Sequence, residues 1–200
     1  MGFYKPGSKK EAPNFERVEI ERTKATGKNL LVEVREISVN PTDLRTCDGK
    51  REDDHSVTIV GRVAAGVVLE AGNDCSLFQA EDEVFYAGTS NIPGSLSKVQ
   101  LVDERIVGRK PKDIGFPEAA ALPLTSITAC EALFDRLGAS RKAAGNNGKV
   151  ILIIGAAGGV VSVATQIAKL VGVTMSSITM SLLKRNWRHL EFTEFIIFFV

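Results

Sequence analysis

The sequence predicts a mixed chain, an antiparallel barrel or sandwich of short strands followed by the opening unit of a parallel α/β sheet. Three observations carry this. The first 120 residues hold short apolar runs divided by turn signals. Near residue 117 the spacing changes to that of helices. Lys149–Ile154 is then a continuous apolar, largely β-branched run, as expected of a strand buried on both faces, and it leads through glycines into a helical stretch.

Taken in order, Leu30–Arg35 alternates, with apolar residues at Leu30, Val32 and Val34, which predicts a half-buried strand. Thr58–Val60, Ala64–Leu69, Glu83–Tyr86, Lys98–Val102 and Arg105–Val107 predict further strands, punctuated by Asp48-Gly49, Ala71–Asp74, Gly88 and Pro93-Gly94. Segment 45–56 is charged and polar and reads as a surface loop. Pro117–Leu122 predicts a short helical turn. Thr128 and Glu131 have capping-box spacing, in which hydroxyl and carboxylate satisfy free amides at a helix start. Ile127, Cys130, Phe134 and Leu137 would then share one face, with Gly138 as the stop. A loop over Ala139–Gly148 precedes the parallel strand. A helix is expected over Val160–Val171, closed by Gly172. Val173–Ile178 is a candidate second strand. Beyond it, Lys184–His189 is basic and Phe192–Val200 holds four of the ten phenylalanines. There is no internal repeat.

With 44% apolar and 24% charged residues, the 200-residue chain can bury a core. A net charge of +1 excludes a globally basic nucleic-acid binder. The charge is unevenly placed. Residues 1–135 carry 17 Lys/Arg against 22 Asp/Glu, and residues 136–200 carry 8 against 2, which predicts different jobs for the two parts. Three scattered cysteines, Cys47, Cys75 and Cys130, exclude a disulfide framework and a four-cysteine zinc site. A reducing, cytoplasmic location is expected. The first residues contain no apolar run of the secretory kind, and the uncharged stretch Val150–Ala168 turns on a glycine cluster, so neither a leader nor a membrane span is expected.

The glycine turn is the strongest chemical feature. A strand that ends in glycines and opens a helix presents free amides and the positive end of a helix dipole, which together hold a pyrophosphate. Glycines at such a turn also serve plain strand–helix packing, and that reading stays open. Val161 stands where a further glycine would let the helix approach closely. Its branched side chain should push helix or ligand outward, so Val161→Gly is expected to tighten nucleotide binding by about 1 kcal/mol. Val173–Leu183 contains no acidic residue to hold a ribose 2′-hydroxyl. With Ser176, Ser177, Lys184 and Arg185 available, this leans toward a 2′-phosphate and therefore NADP, unless the segment is built differently altogether. His55 and His189 have no cysteine at ligand spacing, and no serine lies in a nucleophile elbow.

Several collinear motifs resemble the medium-chain dehydrogenase/reductase superfamily, in its quinone-oxidoreductase, zinc-type alcohol dehydrogenase-like branch. They are Asn29–Asp43, Val60–Val68, Asp82–Gly88, Leu101–Pro111, Ala119–Ala129 and Ile153–Val160. The resemblance implies a GroES-like β-barrel over 1–122, the first part of a doubly wound α/β Rossmann domain over 123–172, and a divergent tail over 173–200. It implies NADPH-linked reduction of a quinone, an activated C=C bond or a carbonyl. Asn40 would face the substrate and Thr128 would lie near the nicotinamide. Gly155, Ala156, Ala157, Gly158, Gly159 and Val160 would hold the pyrophosphate, with Ser176 and Lys184 toward the 2′-phosphate. Zinc-dependent relatives carry cysteine at Asn40 and a His-Glu pair at Arg62 and Val63, so no zinc is expected. Glycine is usual where this chain has Val161 and Glu81, and Trp-Asp is frequent at Arg62-Val63.

Two functional classes follow, a zinc-independent NADPH reductase acting on a small molecule, and a non-catalytic remnant or interaction module of the same family. No nucleic-acid or membrane partner is expected. The tail segment Phe192–Val200 would either cover an open sheet or promote self-association. The basic run before it favours association.

Overall fold

The computed structural model describes residues 2–3, 15–51, 53–154, 158–178 and 194–197. Near the start, β1 (Gly2–Phe3) pairs antiparallel with β3 (Thr58–Ile59). Between them lie β2 (Asn29–Ser38) and α1 (Pro41–Asp48). Next come β4 (Val63–Ala71), β5 (Glu83–Ala87), β6 (Val99–Asp103), β7 (Val107–Arg109) and α2 (Phe116–Ala121). Five of these strands form one antiparallel sheet in the order β6-β2-β4-β5-β7. They belong to the first of two compact units, Met1–Pro123, the second being Leu124–Val200.

The sheet buries both faces at its centre, which is why strict alternation fails there. Leu30, Leu31 and Val32 are all buried in succession, as are Val63, Ala64 and Ala65. One face joins Leu30, Val32, Ala64, Val68, Val84, Tyr86 and Val102 in a core. On another, α2 packs Ala119 and Ala120 against Ala65, and these small side chains let helix and sheet approach closely.

In the first unit, two segments differ from expectation. The run 45–56, expected as a loop, begins with the end of α1. Asn40 is extended ahead of that helix, Pro41 occupies its first turn, and the Asp43 carboxylate accepts the Asn40 N–H at 2.7 Å. These local start signals outweigh the polarity of the run. Arg105–Val107, expected as a strand, is a 3₁₀ turn over Glu104–Ile106 leading into β7. The Asp103 side chain caps the turn by accepting the Arg105 N–H at 2.9 Å.

Glu104 in that turn is fully buried and ties three segments together. Its carboxylate accepts the N–H groups of Ser76 (2.9 Å) and Leu77 (2.8 Å), and the Lys28 ammonium lies 3.4 Å away. The Leu77 N–H is the main cause holding its pKa below the usual glutamate value, against the opposing effect of desolvation. A depressed carboxylate contributes stability above its unfolded value, near 4.5, and loses it as pH falls through the folded value. Acid unfolding of the wild type should therefore be steeper below pH 4.5 than that of Glu104→Gln. Parallel stability–pH curves for the two proteins, followed by circular dichroism, would contradict this.

The second unit opens within α3 (Pro123–Cys130), which runs into a π-helical segment, Glu131–Arg136. A 3₁₀ turn, Ala143–Asn146, precedes β8 (Val150–Ile154), α4 (Gly159–Leu170) and β9 (Thr174–Ile178), and β10 (Glu194–Ile197) follows. The sheet is parallel, in the order β10-β8-β9. The proposed capping box at Thr128 and Glu131 does not form. The helix starts at Pro123, and Thr128 donates its hydroxyl to the Leu124 carbonyl at 2.8 Å, the usual resort of a mid-helix threonine. The expected apolar face also shifts. Ile127 is 45% exposed, whereas Ala129 and Leu133 are buried. Phe134 and Leu137 do pack against the core, so the departure is confined to Ile127, ahead of the π-helical segment.

Asn146 is buried and holds the loop before β8. Its amide group donates to the carbonyls of Ser140 and Val171, both at 2.8 Å, and its oxygen accepts the Ser140 N–H at 2.7 Å. Residues 173–200, expected as a divergent tail, supply both described neighbours of β8. Glu194 to Ile197 lie in parallel register with Ile151 to Ile154. The phenylalanine-rich residues on either side of β10 lie outside the described residues.

Candidate functional site

The candidate nucleotide site is the junction of β8 and α4. β8 is the middle strand of its sheet, and in open parallel sheets ligands gather at the carboxyl ends of such strands. Gly158 is the N-cap, with extended backbone (φ −79°, ψ 155°), and Ser162 donates the first helical hydrogen bond back to its carbonyl at 3.0 Å. The N–H groups of Gly159, Val160 and Val161 therefore lack partners within the helix, as in any first turn. Such amides, with the helix dipole behind them, suit an anionic phosphate. Gly159 also has a packing reason. A Cβ there would lie 3.2 Å from Thr125 Cγ2, so glycine lets α4 begin close to α3. Gly155, Ala156, Ala157 and Lys184 lie outside the described residues. Ser176 sits in β9, in register with Leu152 of β8.

Val161 corrects an expectation. It is 1% exposed and packs in the core with Ala129, Leu133, Ile151, Ile153, Ala164 and Ala168. Its side chain faces the core, so it does not push a ligand outward.

Asn40, Arg62 and Val63 come from the first unit. The Asn40 side-chain NH₂ donates to the Ser38 carbonyl and hydroxyl, both at 3.1 Å. Val63 is fully buried. Arg62 is half-buried, with its Nε–H enclosed and without a hydrogen-bond partner. An amide, a guanidinium and an isopropyl group do not fit zinc, which needs thiolate, imidazole or carboxylate donors. Among the described residues, no three His, Cys, Asp or Glu side chains gather as a metal site.

Arg62 lines a cavity of about 310 Å³ within the first unit. Thr46 on α1, Thr58 and Ile59 on β3, and the loop Thr89–Gly94 form its other walls. Sequence reading noticed Arg62 only as a missing ligand. The available signal is a lone cation inside the apolar run Val57–Val68. Thr46 and Thr89–Asn91 carry no such signal, because only folding brings them beside it. Cys47 and Cys75 offer no alternative nucleophile. Burial pushes the Cys47 thiol up, and the neighbouring Asp48 and Asp43 carboxylates add to this. Cys75 is likewise raised, chiefly by burial. Both stay protonated and weakly nucleophilic near neutrality.

An antiparallel five-stranded unit followed by a parallel strand–glycine–helix unit narrows the class of protein, and comparison with known proteins makes it specific. Residues 26–114 match the alcohol dehydrogenase GroES-like domain. A zinc-type alcohol dehydrogenase-like protein of Staphylococcus aureus strain MSSA476 is 43% identical over 175 residues, covering 88% of this chain and 52% of that protein. A mouse mitochondrial NAD(P)H oxidoreductase is 34% identical over 164 residues, covering 74% of this chain and 41% of its own length. The crystal structure of a Rhizobium etli CFN 42 protein, described as a zinc-dependent alcohol dehydrogenase, superposes with a TM-score of 0.76 at 39% identity. It covers 98% of this chain and 57% of that one. The chain belongs to the medium-chain dehydrogenase/reductase superfamily, with a GroES-like domain followed by part of a Rossmann-type domain. It spans about half the length of the curated relatives it matches. None of the described helices is long and apolar enough to cross a membrane.

Proposed function

We propose that this chain is a cytoplasmic, zinc-independent, NADP(H)-dependent reductase unit acting on a small quinone, enone or carbonyl compound. The observation that carries this is the β8–α4 unit, with glycine at the N-cap and first helical position, in the same chain as a GroES-like domain. The free amides of Gly159, Val160 and Val161 would bind the pyrophosphate. Lys184 and the acid-free segment Val173–Leu183 favour a 2′-phosphate. The Thr128 hydroxyl already donates its hydrogen bond to the Leu124 carbonyl, so toward a ligand it can only accept one, which suits the amide group of a nicotinamide. Asn40 would orient the substrate's electrophilic end. Bound nicotinamide supplies hydride-transfer chemistry, and the protein's part is positioning.

A second reading rests on the glycine junction alone, whose free first-turn amides can hold an anion without any chemistry. In that reading the chain binds nucleotide, or an interaction partner, without turnover. Titrating the purified full chain with NADPH and NADH by nucleotide fluorescence, then adding a quinone or an enone and following nicotinamide absorbance, separates the two. The reductase reading expects tighter NADPH binding and chelator-insensitive consumption. Binding without consumption favours the second reading, and equal or tighter NADH binding overturns the choice of NADP.

A further inference from the structure

We infer that the cavity beside Arg62 is a binding site for a small organic carboxylate. The Arg62 side chain makes no hydrogen bond or ion pair among the described residues, and its Nε–H is buried. A guanidinium presents its donors in a planar fork that matches a carboxylate. A buried donor without an acceptor is an uncommon state that a bound oxygen would relieve. The cavity wall contains no Asp or Glu, so nothing there competes for the cation. Thr46, Thr89, Ser90 and Asn91 add hydroxyl and amide groups, while Ile20, Ile59 and Ile92 add apolar surface. At about 310 Å³ the cavity is larger than an inorganic anion requires and sits at the low end for small-molecule sites. A carboxylate with a short hydrocarbon body fits this mixture better than phosphate does.

The wall is also held in shape. Gly61 has a left-handed backbone (φ +99°), and a Cβ there would lie 2.5 Å from Ser95 Oγ. The Ser95 N–H donates to the Gly61 carbonyl at 3.0 Å and the Leu96 N–H to that of Val60 at 2.9 Å, fixing the Pro93–Leu96 loop against the short β3–β4 connection that carries Arg62. The site is therefore built before any ligand arrives, which limits the ordering cost of binding.

This goes beyond the reductase reading and does not depend on it, because binding is measured without cofactor or turnover. The test is calorimetric titration of the full chain with benzoate, with neutral benzamide as the isostere and inorganic phosphate as the small anion. Benzoate is expected to bind at least tenfold tighter than either. Arg62→Gln should lose at least tenfold in benzoate affinity, and Arg62→Lys should recover part of it. Absence of benzoate binding, equal binding of benzamide, tighter binding of phosphate, or unchanged affinity in a folded Arg62→Gln protein would each overturn the inference. The benzoate–benzamide comparison needs no variant, so it decides the matter even if Arg62→Gln does not fold.

Discussion

Gly66→Ala is expected to destabilise the first unit by about 3 kcal/mol or more, the upper range for overpacking. Gly66 lies in β4, paired with Val34 of β2 on one side and Val84 of β5 on the other. A Cβ at this position would overlap the Glu33 carbonyl oxygen and lie 2.9 Å from Val32 Cγ1. The obstacle is backbone in a strand hydrogen-bonded on both edges, so it cannot move aside as a side chain would. Relief requires separating β2 from β4, whose pairing forms the centre of the sheet. Urea unfolding followed by tryptophan-independent circular dichroism would show the loss. A midpoint equal to the wild type would mean that the two strands are farther apart than described.

Val161→Gly is expected to cost about 3 kcal/mol. Burying a valine side chain contributes about 1.5–3 kcal/mol, and glycine within a helix costs about 1 kcal/mol more than alanine. Val161 is 1% exposed between α3, β8 and the rest of α4, and its removal leaves a hole lined by Leu133, Ile151 and Ile153. This reverses the expectation drawn from sequence, in which the same substitution tightens NADPH binding. The two are separable by measuring thermal stability and nucleotide affinity on one preparation. Unchanged stability with tighter NADPH binding would restore the steric reading.

The contrast at Val161 shows where sequence reading runs out. A glycine pattern can place a residue at the start of a helix, but it does not say which way its side chain turns. The strands β2, β4, β5, β8 and β9 and the helix α4 are legible because their apolar runs and flanking glycines agree. Helix α1 is obscured by the charge of segment 45–56, although Asn40, Pro41 and Asp43 already spell its start. The turn at Glu104 is obscured for the opposite reason, since a buried carboxylate held by two distant amides has no local signature. The π-helical segment that follows α3 is not revealed by periodicity. The glycine junction is visible in sequence because it is contiguous. The Arg62 cavity is not, because its walls come from α1, β3 and the loop Thr89–Gly94.

The pairing of β10 with β8 carries a consequence for the order of assembly. β8 meets β9 across a separation of 24 residues, from Val150 to Thr174, with α4 between them. It meets β10 across 43 residues, from Ile151 to Glu194. Closing the longer loop costs only about 0.5 kcal/mol more than closing the shorter one, so entropy hardly separates the two events. Synthesis does separate them. The β8–α4–β9 unit is complete about 16 residues of translation before β10 begins, Ile178 to Glu194, roughly a second or more at ordinary elongation rates. During that interval the nascent sheet presents one edge of β8 with its ladder groups unpaired. β10 therefore acts as a late closing strand, and the interval before it arrives is when the nascent chain is most open to pairing with a neighbour.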